Sequence, residues 1–276
     1  MKKGLLILLA LGLSGMAGVF AGSKQETSGQ QVVKIGVMGE ELRPAWNTAA
    51  AALAKEGITV ELVTFSDYAV PNRALADGDI DLNSFQHDAF LQNEIKNQKY
   101  DLTAIGNTVI FFLGVYSHKI KSLDELKDGD TVVIMNDATN GGRALKVLES
   151  AGIFTLDPSK GNTPTVRDIV SNPKNIHVVE VDASQTWRTL DDPQVAAAVV
   201  NSTFVVDGGG VPARDAIYIK PIDKEGDKPY INIAVARTKD KDNPVYKKVI
   251  AAFQSAEVAR VITDEPPLKG TALPAW

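Results

Sequence analysis

The chain has 276 residues, 44% of them hydrophobic and 23% charged, a composition ordinary for a globular protein and long enough for two modest domains. Its formal charge of −5 is mild and no basic run is present to neutralise phosphates over a surface, so nucleic acid is not an expected partner. Cysteine is absent, which removes disulfides, thiolate nucleophiles, Cys-ligated zinc and iron–sulfur clusters in one step.

Lys2 and Lys3 precede an apolar run from Leu5 to Leu13, and small residues follow up to Phe20-Ala21-Gly22-Ser23. That order is the order of an export signal over residues 1–23, with an apolar core too short to span a membrane comfortably. Residues 24–31 are polar and read as a tether. Phe20-Ala21-Gly22 is the kind of sequence that precedes the lipid-bearing cysteine of a bacterial lipoprotein, yet position 23 is serine. A hydroxyl cannot form that thioether, so two readings stand: cleavage after Val19-Phe20-Ala21 to give a soluble product, or a serine standing in for a natural cysteine.

Along the mature chain, Val32 to Val37 is a β-branched run expected to form a first strand. An Ala-rich helix is expected from Pro44 to Lys55, a strand from Ile58 to Phe65, and a helix from Pro71 to Asp77 closed by Gly78. Asp79 to Asn83 fits a third strand. A second alternation begins after Leu123, with strands predicted at Thr131 to Met135, His177 to Val181 and Val195 to Asn201, and a helix at Gly142 to Ala151. Thr108 to Tyr116 and Tyr230 to Arg237 are extended, and either is a candidate to pass between two lobes. Asn243 and Pro244 start a last helix, with Val249, Ile250 and Phe253 on one face. Strand and helix alternating twice over predict an α/β fold in two lobes, each a mostly parallel sheet flanked by helices.

The parts of common enzymes are missing. There is no phosphate-binding G-x-x-x-x-G-K-[ST] loop and no G-x-S-x-G elbow, and Gly208-Gly209-Gly210 lacks the spacing of a dinucleotide fingerprint. His87, His118 and His177 are isolated, with no paired metal-ligand spacing, so no metal, cofactor or catalytic residue is expected. Asn136-Asp137-Ala138-Thr139-Asn140-Gly141-Gly142-Arg143 joins a predicted strand to a predicted helix, where α/β sheets hold ligands and helix N–H groups attract an anion. Arg143, in or next to the first helical turn, sits where the dipole disfavours a cation. It either awaits a ligand carboxylate or pairs with one of the protein's own. Ser84 to Phe90 mixes aromatic, amide and imidazole groups, and Phe111, Phe112 and Tyr116 add further rings; each ring is either pocket wall or core. An aromatic pocket suits a polarizable thioether. Asn201 ends a predicted strand, where its side-chain oxygen can accept from an ammonium or cap the next turn.

Several segments, in order, carry a family resemblance: Leu62 to Tyr68, Gly78-Asp79-Ile80-Asp81, Phe85-Gln86-His87, Ile120 to Leu126, Asn136 to Asn140 with Arg143, and Pro173-Lys174-Asn175. From about Val32 to Trp276 the chain resembles the NlpA/MetQ family of methionine-binding proteins that serve ABC importers. The resemblance implies a type II periplasmic-binding-protein-like fold, with lobe 1 at 32–110 plus 226–276 and lobe 2 at 111–225. It implies methionine in the cleft, with D-methionine, another derivative or a short peptide as alternatives, and a hydrolase on an α/β scaffold as a remote one. Carried over by position, Arg143 binds the ligand carboxylate and Asn140 and Asn201 hold its α-amino and carboxylate end. Phe65, Tyr68, His87, Phe90, Phe111 and Tyr116 are candidates for the wall around the side chain. Importer permease and ATPase subunits are the implied partners of a protein that is monomeric when free and lies in the periplasm or at the cell surface. Ser23 departs from the family's lipidated cysteine, and Phe111 to Ser117 departs from its Pro-containing, Gly-rich hinge.

Overall fold

The computed structural model describes residues 31–276. The expected export signal, Ser23 and nearly all of the tether lie outside the described residues. The chain begins with β1 (Gln31–Met38), α1 (Arg43–Ala54), β2 (Ile58–Phe65), α2 (Pro71–Asp77), β3 (Leu82–His87), α3 (Asp88–Gln98) and β4 (Leu102–Phe111). It continues with β5 (Gly114–Tyr116), β6 (Thr131–Met135), α4 (Ala138–Ser150), and a ribbon of β7 (Thr155–Leu156) and β8 (Ile169–Ser171). β9 (His177–Val181), β10 (Val195–Val200), α5 (Ser202–Asp207), α6 (Pro212–Asp215) and β11 (Ala216–Ile219) follow. β12 (Ile231–Arg237), α7 (Pro244–Phe253), α8 (Ala256–Asp264) and β13 (Ala272–Pro274) complete it.

These strands form two sheets, ordered β13-β4-β12-β3-β1-β2 and β11-β5-β10-β6-β9. Each is mixed rather than mostly parallel. β1 runs parallel to β2 and β3, and β6 parallel to β9 and β10, as alternating strands and helices require. β12, β4 and β13 pair antiparallel on the far side of the first sheet, and β5 and β11 do so in the second. β4, β5, β11 and β12 flank the segments that carry the chain out of the first sheet and back, and β13 is the C-terminal strand; these are not joined by strand–helix–strand crossovers within one sheet.

The extended stretch Thr108 to Tyr116 does pass between the sheets, but it breaks at Phe112 and Leu113: β4 ends in the first sheet and β5 starts in the second. Tyr230 to Arg237 does not cross. β12 lies between β4 and β3, and the return crossing is the segment before it, residues 220–230. Asp227 stiffens that return, accepting from the Lys220 ammonium and from the Asp223 N–H, both at 2.8 Å.

Separate cores lie behind the two sheets. Trp46 of α1 meets Phe253 of α7 with ring centroids 4.4 Å apart, over Val33, Ile35 and Val37 of β1. In the second half Val132, Val133 and Ile134 of β6 pack with Leu145 and Leu148 of α4 and with Phe154. Trp187 enters that core beside Tyr116, 5.7 Å between ring centroids. A Cβ on Gly208 would stand 2.1 Å from its indole Cδ1, so the triple glycine that resembled no nucleotide loop makes room for a tryptophan.

Candidate functional site

A pocket opens between the halves at the carboxyl ends of β3, β6 and β10, where α/β sheets hold ligands. β3 and α3 contribute Phe85, Gln86, His87 and Phe90, and the first crossing contributes Phe111 and Phe112. Tyr68 precedes α2. Asn140 and Arg143 come from α4, Asn201, Ser202 and Thr203 from the start of α5, and Asn232 from β12.

The segment expected to be a loop before α4 is mostly helix. Asp137 is the N-cap and accepts from the Asn140 N–H at 2.8 Å, so the helix begins at Ala138 and not at Gly142. Asn and Gly favour turns locally, but tertiary packing prevails. A Cβ on Gly141 would lie 2.6 Å from the Met135 carbonyl oxygen, an approach only glycine permits. Arg143 consequently stands in the second turn, not the first, and the anion at this helix terminus is the protein's own Asp137.

That geometry buries Arg143, which is 7% exposed. Its Nη2 donates to the Phe111 carbonyl at 2.7 Å, and the guanidinium carbon sits 4.7 Å from the centroid of the Tyr230 ring. Among the described residues no carboxylate comes within ion-pair distance of it. Burial lowers its pKa from the ordinary arginine value, and the nearby Asp227 pulls in the opposite direction without touching it. A buried cation so lightly paired is costly, and an anionic solute relieves the cost.

His87 is the N-cap of α3, its Nδ1 accepting from the Phe90 N–H at 3.0 Å. Burial drives its pKa down to about 3, the Arg143 charge adds to the shift, and the Asn140 side chain opposes it. The ring is therefore neutral with its proton on Nε2, which is buried near the Asn140 side chain and makes no hydrogen bond of good geometry among the described residues. Beneath it, Asn72, Asn83 and Gln86 bond to one another: the Asn72 and Asn83 amides donate to Gln86 and Asn72, both at 2.9 Å, which holds the end of β3 in place.

Asn201 occupies the N-cap position of α5, but its side chain does not cap. Its Nδ2 donates to Asn140 Oδ1 at 3.1 Å, and its own Oδ1 is buried with no partner among the described residues. The site therefore offers a cationic donor, a neutral N–H donor and an amide acceptor. Beside them is an aromatic wall in which Tyr68 lies 5.9 Å from Phe85, 5.8 Å from Phe90 and 5.3 Å from Phe204 by ring centroids.

Of the residues singled out in the sequence, Arg143, Asn140, Asn201, His87, Tyr68, Phe90 and Phe111 line this pocket. Phe65 and Tyr116 do not. Phe65, at the end of β2, packs against the cores on either side, and Tyr116 is buried in the second core with its hydroxyl donating to the Pro212 carbonyl at 3.2 Å. Asn232 and Thr203 are pocket residues the sequence reading passed over. For Asn232 a signal existed: an amide inside the apolar run Ile231 to Val235, buried in a strand with neighbours on both sides.

The bipartite α/β fold and the polar end of this pocket define a solute-binding protein of the periplasmic-binding type. A family model for the NlpA lipoprotein matches residues 33–276, and the chain belongs to that family. It is 45% identical to the D-methionine-binding lipoprotein MetQ of Escherichia coli K12 over 86% of each chain. A crystal structure of the methionine-binding protein MetQ superposes with a TM-score of 0.83 at 43% identity, covering 89% of this chain and 98% of that one. A nutrient-binding protein from Burkholderia cenocepacia, solved with methionine bound, gives 0.81 at 37% identity, covering 88% and 100%.

Proposed function

We propose that this chain is the extracytoplasmic solute-binding protein of an ABC importer, and that it captures methionine between lobes formed by 32–110 with 226–276 and by 111–225. The observation that carries the reading is the buried Arg143 guanidinium, which has no carboxylate partner among the described residues. A zwitterionic amino acid complements the site end to end. Its carboxylate meets Arg143 and the His87 Nε2–H, its ammonium meets Asn201 Oδ1, and its thioether lies among Tyr68, Phe85, Phe90 and Phe111. The names of the relatives support this solute, and they support binding without turnover. The permease and ATPase subunits of the importer are its partners, it works as a monomer, and neither nucleic acid nor a metal enters the cycle. As written, Ser23 leaves the exported protein without the lipid its relatives' names imply.

Thermal denaturation of protein stripped of copurified solute, against L-methionine, D-methionine, methionine sulfoxide and a short methionine peptide, tests the reading. Methionine at a hundred times its dissociation constant should add about 2.7 kcal/mol of stability. No shift with either enantiomer, beside a clear shift with another solute, refutes the assignment.

A further inference from the structure

An asparagine side chain has a donor end and an acceptor end of nearly the same shape, so which end meets the solute decides what the site selects. At Asn201 that choice is made two hydrogen-bonded links away, at Asp137. The Asp137 carboxylate, which only accepts, takes Asn140 Nδ2 on both oxygens, at 3.1 and 3.0 Å. Asn140 must then present Oδ1 outward, where it receives Asn201 Nδ2 at 3.1 Å. Asn201 in turn is left with Oδ1 as its unpartnered, buried atom at the pocket wall.

We propose that Asp137, which does not line the pocket, is a positioning residue for solute selectivity. Through Asn140 it locks Asn201 as an acceptor, so that the site favours a solute carrying an ammonium beside its carboxylate over one carrying a hydroxyl there. The inference rests on the amino-acid reading of the pocket and adds to it the group that sets the polarity of the amide chain.

Asp137 also caps α4, through the Asn140 N–H and by accepting from the Thr139 hydroxyl at 3.0 Å, and a test must separate the two roles. Asp137→Ser keeps a good N-cap but is too short to anchor the Asn140 side chain. The double variant Asp137→Ser with Asn140→Asp puts an acceptor-only group next to Asn201 again, which restores the polarity by a different route. Calorimetric titration of each stripped protein with methionine and with 2-hydroxy-4-(methylthio)butanoate gives an affinity ratio in which the carboxylate and thioether contacts cancel.

Wild type should prefer methionine. Asp137→Ser should lose about tenfold or more of that preference, the share of a charge-assisted hydrogen bond, while the ligand-free protein still folds cooperatively, its melting temperature lowered by the lost Asn140 and Thr139 side-chain bonds. The double variant should recover the preference. An unchanged ratio in Asp137→Ser, or a double variant no more selective than the single one, overturns the proposal. Equal binding of both compounds by wild type also overturns it, while leaving solute capture intact. Binding of neither compound sinks the methionine reading and the relay with it.

Discussion

Replacing Arg143 by methionine separates what the guanidinium does for the solute from what it does for the fold. On the side of binding, the variant loses a charge-assisted contact to a desolvated carboxylate, a truncation that costs roughly 2–5 kcal/mol. On the side of stability, it loses one hydrogen bond to the Phe111 carbonyl and one cation–π contact with Tyr230, together about 2–3 kcal/mol. Against that loss, a buried cation with no carboxylate partner among the described residues carries a desolvation penalty of several kcal/mol, which the thioether removes. Methionine affinity should therefore fall by at least about thirtyfold, while the ligand-free protein is as stable as wild type or more so. Titration calorimetry reads the first quantity and urea unfolding of stripped protein the second. Affinity within threefold of wild type would show that the carboxylate is held elsewhere, and loss of more than about 3 kcal/mol of ligand-free stability would make Arg143 a structural residue.

Two further expectations concern Glu41, whose titration offsets that of His87, and Gly208. Glu41, buried in the turn after β1, accepts from the Thr203 hydroxyl of α5 at 2.7 Å, and burial raises its pKa to about 7. The folded state holds a proton on it that the unfolded chain releases, so its contribution to stability falls as pH rises from 4.5 to 7, by roughly 3 kcal/mol in all. His87, lowered from 6.5 to about 3, works oppositely: its contribution is complete above pH 6.5 and is lost as pH falls toward 3. The two slopes cancel between pH 4.5 and 6.5. In Glu41→Gln the His87 slope should emerge, and urea unfolding of the ligand-free variant should show stability rising by about 1–3 kcal/mol across that interval while ligand-free wild type stays level. Parallel profiles for the two proteins would refute the linkage. Separately, Gly208→Ala drives a methyl group into the Trp187 ring and should cost about 1–3 kcal/mol, with a lowered melting temperature; a change below 0.5 kcal/mol, roughly that of an ordinary surface substitution, would show that the indole has room to move.

Strands β1, β6 and β10 were legible because their apolar runs are largely buried in the parallel part of each sheet, and the half-exposed edge strands β2 and β9 because their β-branched residues favour strands locally. α4 was misjudged at its start because Asn140-Gly141-Gly142 has the chemistry of a turn, and only the approach to the Met135 carbonyl explains those glycines. The polar residues of the site lie beside helix starts, Arg143 in α4 and Asn201 before α5, and that strand-to-helix context made them recognisable. The rings were harder. Phe65 and Phe111 both end strands, and nothing local states that β2 ends against the cores while β4 runs out at the pocket. Tyr116 was misplaced because the extended stretch breaks at Phe112 and Leu113, moving the tyrosine into the other sheet.

Both crossings between the halves touch the same side chain. The Phe111 carbonyl belongs to the outgoing strand's last residue, and Tyr230, whose ring Arg143 overlies, ends the return segment. The recognition element thus touches both connections between the halves. A carboxylate bound to the guanidinium would therefore meet a side chain that already touches both linkers. An importer sensitive to the relative placement of the halves would then read whether that one arginine is paired.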